Sequence, residues 1–222
     1  MGMDETRARL LDAAGFEFAE KGYEGATARS ICDRAGVNLA AINYHFGDKE
    51  RLYEAVLTLA LRSRPTAGLG FSQVDPRRSL HEFVTRFLDD ILDDHSAPWH
   101  QGVMAREIAM PSKASDNLVR ESFRPRFEQL TAIIRELLPA AEERRVHAIG
   151  FSVVGQCLHY KMSRSISERI VGVEAYGRLD AAYLADHITR FTLAALGHTP
   201  PLGSAGANET VPSPPMTEEG SR

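Results

Sequence analysis

Hydrophobic residues in the first sixty positions recur with the spacing of amphipathic helices, and glycines separate one run from the next. Leu11, Ala14 and Phe18 follow an i, i+3, i+7 pattern, which predicts a first helix over residues 4 to 21. Gly22 follows directly and suits the left-handed conformation that ends many helices.

A second and a third helix are predicted close together after this stop. Thr27 is a good N-cap for a short second helix, which Gly36 ends. The apolar face of that helix contains Ala28, Ile31, Cys32 and Ala35. Asn38 is predicted to cap a third helix over residues 39 to 45. Two helices joined by a three-residue turn that contains glycine are typical of a helix-turn-helix unit.

The third helix has two different faces. Ile42 and Phe46, four residues apart, are predicted to contact the other helices. The opposite face contains Leu39, Ala40, Asn43 and Tyr44. Asp48 is then predicted to cap a fourth helix, whose apolar positions are Leu52, Ala55, Val56 and Leu59.

The rest of the chain continues in helices, and no long run alternates with the period of a strand, so an all-α fold is predicted. Further helices are expected at about residues 80 to 94, 98 to 110, 117 to 138 with an interruption at Pro125, 142 to 160 and 179 to 196. Glycine and proline divide the chain into a unit at 1–62, a connection at 63–79, a helical region at 80–197 and a tail at 198–222. The tail is rich in proline and is predicted to be disordered.

Composition restricts the class of protein. The 222 residues carry a formal charge of −4, and Cys32 and Cys157 lie far apart without a CxxC motif. This argues against a disulfide framework or a zinc ribbon and suits a reducing, cytoplasmic location. The N-terminus is polar and predicts no secretory signal. Residues 146–160, the longest uncharged helical stretch, are too short to span a bilayer, so no membrane partner is expected.

The position of the charges matters more than their sum. The acidic net charge argues at first against nucleic acid, and residues 1–62 hold 8 basic and 10 acidic side chains. Residues 38–46, however, contain no acid, as a helix that enters a phosphate-lined groove requires. Arg29, Arg34 and Lys49 flank the third helix, and Thr27 adds a hydroxyl beside free helix amides. These groups suit phosphate contacts.

The segment TARSICDRAGVNLAAINYHFGDKERLYEAV resembles the N-terminal domain of TetR-family transcriptional regulators. The shared features are a first helix ending in EKGYE, a Thr-capped second helix, AGV in the turn, YHF closing the third helix and DKE opening the fourth. The wording VNLAAINYHFGDKE, with AREIAMPS further along, is most similar to the CecR-like branch. The resemblance implies an N-terminal three-helix helix-turn-helix domain, with its motif at about 27–46, joined to a C-terminal helical bundle for dimerisation and ligand binding.

The same resemblance implies partners and site residues. It implies a homodimer on a palindromic double-stranded DNA operator, an unidentified small-molecule effector, no cofactor and no enzymatic activity. The residues that fall at the family's DNA-contacting positions or beside them are Thr27, Arg29, Asn38, Leu39, Ala40, Asn43, Tyr44, His45 and Lys49. Of these, Thr27, Tyr44 and Lys49 correspond to phosphate contacts. Asn38, Leu39, Ala40 and Asn43 correspond to positions that approach bases.

Structural roles remain open for several of these residues. Capping alone explains Thr27 and Asn38, and Tyr44 also fits a packed core aromatic. Asn43 is able to pair bidentately with adenine, a contact of about 1–3 kcal/mol in discrimination. His45 is interpreted as a spacer or a phosphate neighbour rather than a base reader.

Two apolar stripes in the C-terminal region are predicted to form a four-helix dimer interface. One stripe contains Val146, Ile149, Gly150, Val153, Val154 and Cys157, and the other contains Leu184, Ile188 and Phe191. The alternative is that both stripes fill the core of one protomer. Periodicity does not distinguish the two.

A regulatory pocket is expected among the middle helices. Its candidate residues combine apolar walls with a few polar groups and are Trp99, His100, Met104, Phe123, Phe127, Cys157, His159 and Tyr160. Packing in the core is the alternative for each. His100, Glu107, His147 and His159 offer metal ligands, but no two of them stand at i, i+4 on one face, so no metal site is predicted.

The leading hypothesis is a DNA-binding repressor that leaves its operator when an effector binds the C-terminal bundle, with the fourth helix carrying the signal. Two other classes stay open: a helical-bundle enzyme with a vestigial N-terminal domain, and a ligand- or partner-binding dimer that has lost DNA binding. No GxSxG, HExxH, P-loop or GxGxxG motif supports the enzyme. The intact caps and the acid-free third helix argue against the other.

Overall fold

A computed structural model describes residues 3–61, 75–92 and 97–199. Every regular element in these three ranges is helical, which confirms the predicted all-α fold. No helix within them is long and apolar enough to cross a membrane. Most of the predicted connection, and the predicted tail from residue 200 onward, lie outside the described residues.

Four helices form the N-terminal part: α1 (Met3–Gly25), α2 (Ala28–Ala35), α3 (Ala40–Phe46) and α4 (Lys49–Leu61). Gly36 ends α2 in the left-handed conformation with a φ of 63°, so this predicted stop is confirmed. Gly22, with a φ of 74°, interrupts α1 but does not end it, because helical residues continue to Gly25. Glycine is favoured at these positions because any other side chain is strained at positive φ.

The remaining described α-helices are α5 (Pro76–Leu92), α6 (Pro98–Ala109), α7 (Ser115–Leu118), α8 (Arg124–Leu137), α9 (Glu143–Met162), α10 (Arg164–Val171), α11 (Val173–Gly177) and α12 (Ala181–Ala195). The beginning of α5 corrects one expectation, because Pro76 lies within the segment predicted as a connection up to residue 79. Proline is accommodated in a first turn, where its missing N–H would have no intrahelical acceptor.

One further expectation is confirmed and one set of helices is missed. The helix predicted over residues 117 to 138 with an interruption at Pro125 is divided into α7, a π-helical turn at Val119–Phe123, and α8. Pro125 explains the division, because it lacks an amide for the regular hydrogen bond and its ring crowds the preceding turn. The sequence pattern also does not predict α10 and α11. Both are short, and neither begins with a side-chain cap within residues 97–199.

Buried side chains form two apolar clusters. The first contains side chains from α1, α2, α3, α4 and α6, and in it Trp99 and Val103 pack with Phe18 and Val56. The second joins α5, α8, α9 and α12. Helix α6 therefore belongs to the C-terminal part by sequence, but it packs mainly against α1 and α4. The DNA-reading unit predicted from the sequence thus shares its core with a helix from beyond residue 97.

Candidate nucleic-acid interface

Helix α3 exposes the face that the sequence analysis singled out. Ile42 and Phe46 are buried, as predicted. Asn43 and Ala40 are exposed, and Leu39 and Tyr44 expose 57% and 72% of their surface. His45 is half-buried, with its ring 5.0 Å from the ring of Tyr44 between centroids. The opposite faces of α3 thus divide cleanly between the core and solvent.

The start of α3 differs from the prediction. The helix begins at Ala40, Leu39 occupies the N-cap position in a helical conformation, and within residues 3–61 no side chain caps this first turn. Asn38 contributes its backbone carbonyl, which accepts a hydrogen bond from the Ala41 amide at 3.1 Å. Its predicted side-chain cap is therefore wrong, because the helix begins one residue later than predicted and Leu39 takes the N-cap position. The exposed Asn38 side chain stays beside the α3 face.

The caps predicted for the neighbouring helices are confirmed. The Thr27 hydroxyl accepts a hydrogen bond from the Ser30 amide at 3.0 Å, and the Ser30 hydroxyl oxygen accepts one from the Thr27 amide at 3.2 Å. Asp48 accepts a hydrogen bond from the Arg51 amide at 2.8 Å at the start of α4. The cap uses the Thr27 hydroxyl as an acceptor, and the residue is exposed, so the hydroxyl can still donate to an acceptor such as phosphate.

Lys49 already has partners within the protomer. Its Nζ donates hydrogen bonds to the carbonyl oxygens of Tyr23 at 2.8 Å and Ala26 at 3.1 Å, and lies 4.2 Å from the centroid of the Tyr23 ring. An ammonium group has three donors, so one remains for a phosphate oxygen. Lys49 thereby holds the end of α1 and the approach to α2 against α4.

The arginines around α3 differ in their engagement. Arg29 is exposed on α2. Arg34, also predicted to suit phosphate, instead pairs with Glu17 and Glu20, each at 2.9 Å. Arg9 donates to the carbonyl oxygens of Ala35 and Gly36, which ties α1 to the turn of the helix-turn-helix.

Glu17 is a buried carboxylate at the centre of these pairs. Burial raises the pKa of Glu17, but hydrogen bonds from Lys21, Ser30 and Arg34 together lower it by more, so the pKa lies below its ordinary value. The distances from its oxygens to Lys21 Nζ and Arg34 Nε are 2.7 and 2.9 Å. Glu17 and Glu20 therefore hold α1 to α2 through Arg34.

A second buried carboxylate joins α4 to α6, and the sequence analysis did not identify it. Glu107 is 4% exposed and accepts a 2.6 Å hydrogen bond from the Tyr53 hydroxyl, with further bonds from the Ser112 amide, the Ser112 hydroxyl and the Ser115 hydroxyl. Burial raises the pKa of Glu107, but these bonds lower it below its ordinary value. Burial, and next the hydrogen bond to Glu107, raise the pKa of Tyr53, so the phenol stays protonated and donates.

The signal for this junction lies in the motif AREIAMPS, which holds both Glu107 and Ser112. Glu107 comes directly before an apolar run and five positions before Ser112, so an acidic residue beside apolar neighbours was the available signal for a buried acceptor. Its other partner, Tyr53, is 54 positions away, and only the packing of α4 on α6 brings it near.

The predicted effector residues do not form one cluster. Trp99 and Met104 belong to the first core, where Trp99 Nε1 donates to Asp12 at 2.8 Å. Half-buried His100 lies beside Trp99, and burial lowers its pKa. Cys157 is buried in the second cluster. The remaining candidates lie on the π-helical turn, on α8 and near the end of α9: Phe123, Phe127, His159 and Tyr160.

The predicted dimer stripe corresponds largely to the core of one protomer. Six of its nine residues are buried: Gly150, and five members of the second cluster, which are Val146, Val153, Cys157, Leu184 and Ile188. Ile149 and Val154 are half-buried, and Phe191 is 48% exposed. The stripe faces inward and packs on α5 and α8, so few of its side chains are exposed for contact with a partner subunit. This corrects the assignment of the six buried residues to a dimer interface.

Aromatic rings occupy the outer faces of the same two helices. On α12, Tyr183, His187 and Phe191 follow one another at i, i+4, i+8, with ring centroids 6.3 Å apart at each step. On α9, exposed Phe151 stacks on Phe127 of α8 at 4.5 Å. Any contact between α9 or α12 and a second subunit would use these faces.

Comparison with known proteins identifies both parts of the chain. Residues 10–56 match the family described as bacterial regulatory proteins, tetR family. Residues 76–196 match the C-terminal domain of the HTH-type transcriptional dual regulator CecR.

Individual relatives agree with these matches. The HTH-type transcriptional regulator BetI of Burkholderia cenocepacia is 35% identical over 94 residues, which are 40% of this chain and 48% of BetI. The repressor AcnR of Corynebacterium efficiens is 47% identical over 51 residues, 23% of this chain and 27% of AcnR. The matched region thus spans about half the length of BetI and about a quarter of AcnR.

Solved structures extend the likeness to the whole fold. HlyIIR, a hemolysin II transcriptional regulator, has a TM-score of 0.58 at 23% identity, over 85% of this chain and 99% of that one. PfmR from Thermus thermophilus has a TM-score of 0.56 at 22% identity, over 86% of this chain and 95% of that one. These likenesses concern the fold alone.

The matched families and relatives are transcriptional regulators and not enzymes, in agreement with the sequence-based hypothesis. TetR-family regulators bind DNA through the N-terminal helix-turn-helix that α2 and α3 form here. On the strength of its N-terminal match and of a C-terminal match covering more than half its length, this chain belongs to the TetR family of transcriptional regulators, in the CecR-like branch.

Proposed function

We propose that the protein is a dimeric DNA-binding regulator that represses transcription and leaves a palindromic operator when a small molecule binds its C-terminal helical part. The observation that carries the DNA-binding role is the exposed, acid-free face of α3, whose opposite face is anchored in the core by Ile42 and Phe46. The repressor role is supported by the name of AcnR, which matches the N-terminal part. The cytoplasm, where the DNA lies, is the location that this function requires.

In this proposal the α3 face enters the major groove. Asn43 supplies the one amide on the central face that can pair with adenine, and exposed Leu39 suits a thymine methyl group. Thr27, Tyr44 and the third donor of Lys49 contact phosphates, with Arg29 and His45 beside them. Asn38 is free of a capping role and adds a second amide at the start of α3.

Dimerisation is supported by the outer faces of α9 and α12. Phe151, Tyr183 and Phe191 leave large rings exposed, and desolvation of aromatic surface is the usual driving force of such interfaces. Two recognition helices about 34 Å apart then meet successive major grooves.

Effector binding acts on DNA affinity through α6 in this proposal. Helix α6 contacts α1 through Trp99 and α4 through Glu107, so a shift of α6 reorients both helices that carry the recognition unit. A coupling of about 1–3 kcal/mol, or about 5- to 150-fold in affinity, is typical of such regulators.

The test of DNA binding uses fluorescence anisotropy with labelled DNA from the region upstream of the protein's own gene, at salt concentrations from about 50 to 200 mM. We expect the wild type to bind with a Kd that weakens with salt, and Asn43→Ala with Tyr44→Ala to weaken it at least about tenfold. The matched control, Glu128→Ala with Gln129→Ala on exposed positions of α8, should bind as the wild type does. Equal affinity and equal salt slope for all three proteins would overturn the proposal.

The same assay tests the effector role. A panel of metabolites and antibiotics is added to the preformed complex, and we expect at least one compound to lower affinity about 5- to 150-fold. DNA binding that no compound in a broad panel changes would argue for a constitutive regulator, whereas compound binding without DNA binding would favour the ligand-sequestering alternative.

A further inference from the structure

We propose that α10 and α11 form an arm, residues 164–177, that packs against the partner subunit and extends the dimer contact beyond α9 and α12. This inference rests on the proposed dimer and names a surface that the sequence analysis did not assign to it. The partner to which it commits is a second copy of this chain.

The arm presents its apolar side chains to solvent. Ile166, Ile170, Val171 and Val173 expose 58, 75, 53 and 71% of their surface. Ser167 and Glu168, on the same short helix, are the half-buried positions. An ordinary surface helix turns its apolar stripe toward the core and its polar side to water, so α10 has the reverse orientation. Such a reversal indicates that a further surface covers the stripe.

Specific contacts hold the arm in this orientation. Buried Tyr176 on α11 donates a hydrogen bond from its hydroxyl to the Tyr160 carbonyl at 2.6 Å, which fixes α11 to the end of α9. Arg164 pairs with Glu168 at 2.9 Å along α10. Gly172 separates α10 from α11 with a φ of 89°. The aliphatic face is therefore displayed by an anchored element with defined geometry.

The exposed area fits a dimer contact. The arm and neighbouring Met162 expose on the order of 500 Å² of side-chain surface, at the upper end of the patches of about 300–600 Å² found on monomers. Together with the rings of Phe151, Tyr183 and Phe191, the total is on the order of 800 Å², which is what each partner contributes to an interface of standard size. The rings alone fall well short of that area.

The arm also continues the outer surface of α9. Only Ser163 separates the two helices, and Met162, the last residue of α9, is 45% exposed. A partner subunit that packs on the outer face of α9 therefore reaches the beginning of the arm. In a twofold dimer the arm of each subunit would pack against the other subunit, because an isologous interface uses the same surface patch of both subunits.

The C-terminal tail of the chain is a poorer occupant. Residues 200–222 include five prolines and only three large apolar residues, Leu202, Val211 and Met216. Three such side chains in 23 residues offer little apolar surface with which to cover the arm.

The test compares Ile170→Lys with Ser165→Lys, two exposed positions of α10 that gain the same charge, in the full chain. Sedimentation velocity over a range of protein concentrations gives the dimer Kd of each variant and of the wild type. We expect Ile170→Lys to raise the dimer Kd at least about tenfold and Ser165→Lys to leave it within about twofold. Thermal melting at a concentration where all three are monomeric should give equal midpoints, which separates lost dimer contact from misfolding.

A tight wild-type dimer with an unchanged Kd for Ile170→Lys overturns the arm but leaves the proposed dimeric regulator intact. Loss of binding to phosphatidylcholine vesicles with an unchanged dimer would also overturn it, in favour of a lipid surface. A wild type that stays monomeric at all concentrations, with and without operator DNA, instead removes the proposed dimer itself.

Discussion

Two distant surfaces of this protein both leave large apolar side chains in water, and their surroundings differ. Leu39 and Tyr44 are exposed in residues 38–46, at and within α3, a stretch that also contains the amides of Asn38 and Asn43 and no acid. On α9 and α12, Phe151 and Phe191 stand among other rings and aliphatic groups. The first environment suits a phosphate-lined groove with thymine methyls, and the second suits another apolar protein surface. Exposure alone therefore does not identify a partner, whereas the neighbours of the exposed group do.

The two surfaces also differ in how they are supported. Both surfaces have an apolar core behind them, which Ile42 and Phe46 join on the α3 side. The elements around α3 are in addition tied together by side chains that donate to backbone carbonyls, such as Arg9 and Lys49. A recognition surface that reads base edges needs fixed geometry, whereas an apolar interface tolerates small shifts of its side chains.

The largest expected effect is on the aromatic surface. Phe151→Asp with Phe191→Asp is predicted to raise the dimer Kd about 100-fold or more, because each carboxylate would have to be buried without a partner. Sedimentation velocity measures the Kd. His81→Asp, an exposed position of α5, serves as the control and should leave it unchanged. A dimer that survives the double substitution would show that α9 and α12 do not make the interface.

The corresponding change on α3 should separate the two surfaces. Leu39→Asp is predicted to lower operator affinity at least about tenfold, because a carboxylate would face the DNA phosphates, while the dimer Kd stays constant. Anisotropy and sedimentation on the same preparations check both numbers. If Leu39→Asp weakened the dimer, or left DNA affinity intact, the proposed division of labour would be wrong.

The junction between the two regions offers an intermediate effect. Glu107→Gln is predicted to lower the free energy of unfolding by about 1–3 kcal/mol at pH 7, because the ionised acceptor of four hydrogen bonds is lost. Tyr53→Phe removes one of these bonds and keeps the ring, so its loss should be smaller. Urea unfolding monitored by circular dichroism measures both.

The acid dependence of this effect has a definite sign. The folded pKa of Glu107 lies below its unfolded value, so its stabilisation is complete above the unfolded pKa and is lost as the pH falls through the folded pKa. The difference between wild type and Glu107→Gln should therefore shrink as the pH falls below the ordinary glutamate pKa. A difference that grows on acidification would contradict the assignment.

The smallest expected effect concerns the cap of α2. Thr27→Ala is predicted to lower stability by about 1 kcal/mol, and Asp48→Ala on α4 should do the same. Thr27→Asp keeps the cap but adds a negative charge beside the proposed phosphate contact. It should therefore unfold like the wild type and bind operator more weakly, which separates capping from DNA contact. Unaltered DNA binding by Thr27→Asp would leave Thr27 with capping alone.

The sequence predicted the helix-turn-helix closely because its determinants are local. Gly22 interrupts α1, Gly36 ends α2, Thr27 and Asp48 cap the helices that follow, and Ile42 with Phe46 marks the buried side of α3. Each of these features depends on residues within one or two turns of each other. The cap assigned to Asn38 is wrong because the helix begins at Ala40, one residue later than predicted, so that Leu39 and not Asn38 occupies the N-cap position.

The C-terminal part was predicted less well because its questions are not local. Periodicity showed that Val146 and Ile188 belong to apolar faces, and the tertiary structure decided that those faces fill the core of their own protomer. The exposed rings that replace them as interface candidates, such as Phe151, lie outside the strongest periodic stripe. The two helices of the arm begin without a side-chain cap, so the sequence offered no start signal from which to predict them.

By itself, the sequence determined the all-α class, the recognition helix and its acid-free face, since caps, glycine stops and helical periodicity act between neighbours. Only the tertiary structure decided how the charged and apolar groups are used. In the tertiary structure Arg34 pairs with Glu17, and Tyr53 donates a hydrogen bond to Glu107, which lies 54 positions away. The aliphatic side chains of α10 are exposed to solvent. The physical reason is that a side chain's partner depends on which elements pack together. That choice is made by the whole core, and a repeating pattern along one helix does not contain it.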